Sequence, residues 1–220
     1  MLGAAALLAC GRGSGARPAE EPAASRVSPA SALPGDERPV LLFLGTSLTA
    51  GYGLDPADAF PALIQARLDA AGLRYRVVNA GVSGETSAGA LRRIDWLLKQ
   101  PVAVLVLETG ANDGLRGQDP GATRANIQAV LERAKKQAPP PRLVLLGMEA
   151  LPNYGEEYRR RFRAIYPEMA QKHGAVLVPF LLDGVAGVAS LNQADGIHPT
   201  AEGHRRVAET VWKALWPILS

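Results

Sequence analysis

The stretch Val40-Leu41-Leu42-Phe43-Leu44-Gly45-Thr46-Ser47 puts five large apolar side chains in a row, then a glycine and two hydroxyls. A strand alternates its side chains between two faces, so an unbroken apolar run reads as a strand buried on both. The pattern repeats outward from there. Residues 58–71 carry Phe60, Leu63, Ile64 and Leu68 at helical spacing, and residues 75–79 read as a short strand. Residues 86–99 read as a helix with Leu91, Ile94, Leu97 and Leu98 as its stripe, and residues 102–107 are a second unbroken apolar run. Helices are expected over about 120–137, 158–172 and 201–215, with strands over 142–146 and 176–178. Five such strands alternating with five helices predict an α/β fold. The expected arrangement is a three-layer α/β/α sandwich around a five-stranded parallel sheet; a flavodoxin-like strand order, 2-1-3-4-5, is a further expectation that the alternation alone does not fix.

Sheets of this kind bind ligands outside the carboxyl ends of their strands. Gly45-Thr46-Ser47 follows the first strand, and Gly81-Val82-Ser83-Gly84-Glu85-Thr86 the second. Gly110-Ala111-Asn112-Asp113-Gly114 follows the third. Past a loop after the fifth comes Asp195-Gly196-Ile197-His198-Pro199. All four fall on one edge. The last places a carboxylate three residues from an imidazole in a turn, where the acid can hold one ring nitrogen and leave the other as a base. Ser47 is the candidate nucleophile, His198 its base and Asp195 the residue that orients His198. Attack on an acyl carbonyl creates an oxyanion, for which Gly84 N–H, the Asn112 amide and the Ser47 N–H are candidate donors. Each motif alone has a bland reading. A Gly-x-Ser turn is common, Gly84 suits any tight turn and Asn112 suits an Asx turn. Their placement together on one edge is what favours chemistry.

The set resembles the SGNH hydrolase superfamily, also called GDSL-type esterases, and within it the bacterial periplasmic branch with thioesterase, lysophospholipase and arylesterase activities. The segments that carry the likeness are Gly45–Tyr52, Val78–Ser87, Gly110–Gly117, Leu151-Pro152-Asn153-Tyr154-Gly155 and Asp195–Pro199, within residues 39–220. The resemblance implies that the family's four signature positions are Ser47, Gly84, Asn112 and His198, with Asp195 as the triad acid. It implies a metal-independent serine hydrolase, without a cofactor, acting on small acyl esters, lysophospholipids or acyl thioesters. The family usually has Asp directly before the serine; here Thr46 stands there, and its hydroxyl is expected to take over part of the bracing. The alternatives are a carbohydrate acetylesterase on the same scaffold and a non-catalytic anion-binding module.

Leu115, Arg116, Glu149, Asn153 and Tyr154 are candidates to line the substrate pocket, and Asp113 to brace its turn. His204 is expected to be exposed near the start of the last helix, and His173 sits where a helix ends and a cation suits the dipole.

The remaining features concern setting. A net charge of +3 without a dense basic run argues against nucleic-acid binding, and the cluster Arg159-Arg160-Arg161 with Arg163 reads as a solvated helix face. A single cysteine, Cys10, excludes an internal disulfide, and no cluster has metal-ligand spacing. Residues 2–9 are a short apolar run leading into Leu7-Leu8-Ala9-Cys10-Gly11, which resembles a bacterial lipobox, although no Lys or Arg precedes the run. Residues 1–10 are therefore expected to be an export signal with lipidation at Cys10. That would make the protein an exported one, periplasmic or a membrane-anchored lipoprotein of a bacterium. Residues 11–38, rich in Gly, Ala, Pro, Ser and Glu, are expected to be a flexible linker. Nothing demands more than a monomer.

Overall fold

Strand β1 (Val40–Gly45) is buried at every position, as its unbroken apolar run requires. The computed structural model describes residues 36–220; the expected signal segment, Cys10 and the linker up to residue 35 lie outside them. β1 pairs in parallel with β2 (Arg76–Gly81) on one side and β3 (Val104–Glu108) on the other. β4 (Arg142–Leu146) and β5 (Val176–Val178) complete the sheet in the order β2-β1-β3-β4-β5. The fold class and strand order read from the sequence both hold.

The five expected helices are α2 (Phe60–Ala70), α3 (Ser87–Leu97), α5 (Pro120–Ala134), α6 (Gly155–His173) and α7 (Ala201–Leu219). The chain steps from β1 outward to β2, then back across to β3, β4 and β5. Right-handed crossovers taken in opposite directions place α2 on one face and α3, α5 and α6 on the other. The packing agrees: α3, α5 and α6 lie side by side, and α7 packs beside α2. In α7 the buried residues His204, Val207, Ala208, Val211, Leu215 and Leu219 form one stripe, and Thr200 caps the first turn by accepting from Gly203 N–H.

Element ends differ from expectation where local chemistry intervenes. Helix α2 starts at Phe60 because Pro61 lacks an N–H and suits only the first turn; residues Pro56–Asp58 form a separate 3₁₀ turn capped by Asp55. Two short helices, α1 (Ser47–Ala50) and α4 (Ala111–Leu115), are too short to show a period in sequence. Both begin directly after a strand, at the candidate site.

His204 corrects the expectation of exposure. It is fully buried; its ring stacks on Phe60 and its Nδ1 accepts the Phe60 N–H at 3.1 Å. The start of α7 docks on the start of α2, and an imidazole fills the join because the first turn of α2 leaves an N–H without an intrahelical partner. Burial lowers the His204 pKa from 6.5 to about 4. Between those values the unfolded chain takes up a proton that the folded chain refuses, so stability falls as pH drops through this window. Urea unfolding at pH 7.5 and pH 4.5 should show this group costing ~2.5 kcal/mol at the lower pH. His204→Asn keeps an acceptor for Phe60 N–H but cannot titrate, and its pH dependence should be smaller by that amount. An equal acid sensitivity in both proteins would exclude the assignment.

Candidate active site

Ser47 is the first residue of α1, immediately after the β1 turn, and is itself nearly buried. Thr46 caps this short helix, and Gly51 closes it in a left-handed conformation (φ +75°). Beneath the turn lies Glu108, the last residue of β3 and almost wholly buried. Its carboxylate accepts from Thr46 N–H at 2.7 Å, from the Thr46 hydroxyl at 2.9 Å and from the Thr49 hydroxyl at 2.9 Å. Burial pushes its pKa up, and these donors oppose the shift. The contact is tight enough that a Cβ on Gly45 would sit 2.8 Å from a Glu108 oxygen, so only glycine fits there. The expected bracing role of Thr46 thus has a partner that the sequence did not reveal.

The Asp195 turn approaches from the other side. Gln193 N–H donates to His198 C=O at 2.7 Å and Gly196 N–H to Gln193 C=O at 2.9 Å, closing the loop. Asp195 Oδ1 accepts both Ile197 N–H and His198 N–H at 3.0 Å, and Oδ2 lies 2.6 Å from His198 Nδ1. The hydrogen bond from the His198 ring, with the two backbone donors, lowers the Asp195 pKa to about 2. A carboxylate only accepts, so Nδ1 carries the proton and Nε2 presents its lone pair. That Nε2 is 2.9 Å from Ser47 Oγ. The Tyr52 ring lies against His198, centroids 4.6 Å apart.

Gly84 occupies the left-handed position (φ +77°) of a turn closed by Glu85 N–H to Val82 C=O. Among the described residues neither Ser47 N–H nor Gly84 N–H has an acceptor. Asn112, in α4, donates one amide hydrogen to Glu85 C=O at 3.0 Å and keeps the other. A further brace went unread in the sequence. Arg93 of α3 holds the Glu85 carboxylate at 2.7 Å while donating to Gly45 C=O and Ala80 C=O, tying the Gly84 turn to the ends of β1 and β2. Arg116 donates to Gly84 C=O at 3.2 Å. Asp113 is fully buried and binds across to α3, accepting from Ser87 N–H and its hydroxyl, and from the Thr123 hydroxyl.

Ser47, Gly84, Asn112 and His198 border one cavity of about 580 Å³. Leu115 and Glu149 line it as expected. Asn153 and Tyr154 do not: the 3₁₀ turn Pro152–Tyr154 carries them away, and the Tyr154 ring lies tilted against Tyr158 while its hydroxyl donates to Leu115 C=O. Tyr154 therefore shapes the wall from behind. The apolar lining comes instead from Leu48, Met148, Ala150, Phe180, Leu182 and Ile197. No spacing marked these, because they come from α1 and from separate loops far apart in the chain.

Glu108→Gln keeps the shape of the buried acid but swaps one acceptor oxygen for two donors that face hydroxyl donors. Turnover per folded molecule should fall about tenfold or more with little change in KM, because the Ser47 turn loses its fixed aim. A purely structural role would lower yield or thermal stability and leave kcat per folded molecule intact; titration of active sites alongside kinetics separates the two.

Comparison with known proteins agrees with this geometry. Residues 43–206 match the model of the GDSL-like Lipase/Acylhydrolase family. Esterase TesA of Pseudomonas aeruginosa is 43% identical over 180 residues, covering 81% of this chain and 89% of that protein. Thioesterase 1/protease 1/lysophospholipase L1 of Escherichia coli strain K12 is 38% identical over 182 residues, covering 82% and 85%. A crystal structure of TesA superposes with a TM-score of 0.78 at 43% identity, over 82% of this chain and 99% of the other. With the fold, the strand-end edge and these relatives in agreement, the chain belongs to the GDSL-like lipase/acylhydrolase, or SGNH, family.

Proposed function

We propose that this carboxylic ester hydrolase works through a Ser47–His198–Asp195 triad and an acyl-enzyme. The observation that carries the reading is the unbroken chain of contacts Ser47 Oγ–His198 Nε2–His198 Nδ1–Asp195 Oδ2, at 2.9 Å and 2.6 Å. Ser47 Oγ attacks the acyl carbonyl as its proton passes to Nε2; the oxyanion that forms lies among Ser47 N–H, Gly84 N–H and the Asn112 amide. Each such donor contributes roughly 3–4 kcal/mol to the transition state. His198 then returns the proton to the departing alkoxide or thiolate. Water repeats the sequence on the acyl-enzyme and releases the acid. Asp195 stays ionised throughout, holding the tautomer and stabilising the imidazolium.

The substrates of this reading are aryl esters, lysophospholipids and acyl thioesters, the classes suggested by the relatives' names. The size and apolar lining of the cavity support an acyl chain longer than acetyl, against the carbohydrate acetylesterase alternative. The two uncommitted N–H groups at Ser47 and Gly84 would also suit a bound anion, but an anion-binding module has no use for the His198–Asp195 pair. Export with lipidation at Cys10, and function as a monomer, belong to the same proposal.

Ser47→Ala should lower kcat on p-nitrophenyl esters by ~10⁴ or more and abolish labelling by a fluorophosphonate. Turnover or labelling that survives would refute the mechanism. Across a panel of p-nitrophenyl esters the optimum should lie beyond acetyl; a strict acetyl preference would favour the acetylesterase instead. Mass spectrometry of the mature protein should find a lipid-modified Cys10 at the N-terminus, and an unmodified Met1 would exclude the anchor.

A further inference from the structure

We propose that Arg159 makes this esterase selective for substrates that carry an anionic group, a carboxylate or phosphate, in addition to the scissile ester. The inference rests on the esterase reading above and concerns the same cavity. The arginine cluster of residues 159–163 was expected to be a solvated helix face. Three of its members meet that expectation by pairing with carboxylates: Arg160 with Glu157, Arg161 with Asp119 and Arg163 with Glu149. Arg159 differs. It lies in the first turns of α6 and borders the catalytic cavity, with its side chain only 28% exposed.

Its hydrogen bonding is incomplete. One terminal nitrogen donates to Glu156 at 2.9 Å, but that carboxylate is 74% exposed, so water and salt screen the pair. The Nε–H is buried and has no acceptor among the described residues. A buried donor left unmade is costly, and a guanidinium against an apolar wall is more so. The other charged lining residue, Glu149, is already held by Arg163 at 3.2 Å. Among the described residues, Arg159 is therefore the one Lys or Arg side chain on the cavity wall, and its carboxylate partner lies largely in solvent. A planar guanidinium in this state matches the paired oxygens of a carboxylate or phosphate, which a substrate brings in as water leaves. Arg116 does not duplicate the role, because it donates to the Gly84 carbonyl.

The charge can sit on the acyl chain or on the alcohol, and two ester pairs separate these. Mono-p-nitrophenyl suberate against p-nitrophenyl octanoate places the anion on the acyl side; 3-carboxyphenyl octanoate against phenyl octanoate places it on the leaving group. The readout is the ratio of kcat/KM for the anionic ester to that for its neutral counterpart, so that a general loss of activity cancels. Arg159→Gln should lower this ratio tenfold or more in one of the pairs, and Arg159→Glu should lower it further. Arg159→Lys should recover part of it, and added salt should shrink the wild-type ratio. The responding pair identifies the side on which the anion binds. Ratios that stay within twofold in both pairs for both Gln and Glu variants would overturn the role of Arg159 and leave the esterase reading standing. Failure of the wild-type protein to hydrolyse any of the four esters would instead overturn the esterase reading itself.

Discussion

Burial of β1 on both faces is the constraint from which the rest of the molecule follows. A strand with no polar face must be flanked by strands and covered above and below. Parallel neighbours connected by helices are the arrangement that does this with one chain direction, and right-handed crossovers then fix which helix covers which face. One consequence is that β1 to β5 all point their carboxyl ends the same way. The chain leaves the apolar interior at that edge, and the turns there must satisfy backbone groups that the sheet no longer pairs.

Those turns are held by buried and half-buried polar side chains rather than by apolar packing. Glu108 gathers Thr46 and Thr49 under Ser47, Asp113 gathers Ser87 and Thr123, and the Glu85–Arg93 pair reaches the carbonyls of Gly45 and Ala80. Glu108 joins the end of β3 to the turn after β1, Asp113 joins α4 to α3 and α5, and the Glu85–Arg93 pair ties the Gly84 turn to the ends of β1 and β2. A fully satisfied polar network of this kind is directional in a way that apolar contact is not. It holds Ser47, Gly84 and Asn112 in fixed relation while leaving the N–H groups that face the cavity uncommitted. The Asp195–His198 turn, closed mostly by its own backbone, then needs only to be delivered to Ser47 by the loop before α7.

Much of this was legible beforehand. The sheet, its five main helices and the residues of the proposed triad lie in local patterns: apolar runs, helical stripes, and glycine-flanked polar residues after strands. What escaped has physical reasons. Helices α1 and α4 span a single turn each and carry no period. Glu108 reads as the polar end of an apolar run, and nothing local says that two threonines sixty residues earlier will meet it. His204 looked exposed because a histidine among polar residues at a helix start is usually solvated; only the docking of α7 on α2 buries it. Asn153 and Tyr154 follow a strand on the correct edge, yet a proline-led 3₁₀ turn rotates them off the cavity wall.

The sequence by itself determined the fold class, the edge on which the candidate site lies, and the residue types that meet there. These depend on periodicity and on chain direction, both of which are local and one-dimensional. The tertiary structure alone decided which acid braces the Ser47 turn, which loops wall the cavity, and that Arg159 of a run expected to be solvated borders it instead. Such facts depend on contacts between segments far apart in the chain, where a shift of one helical turn or one loop exchanges one neighbour for another.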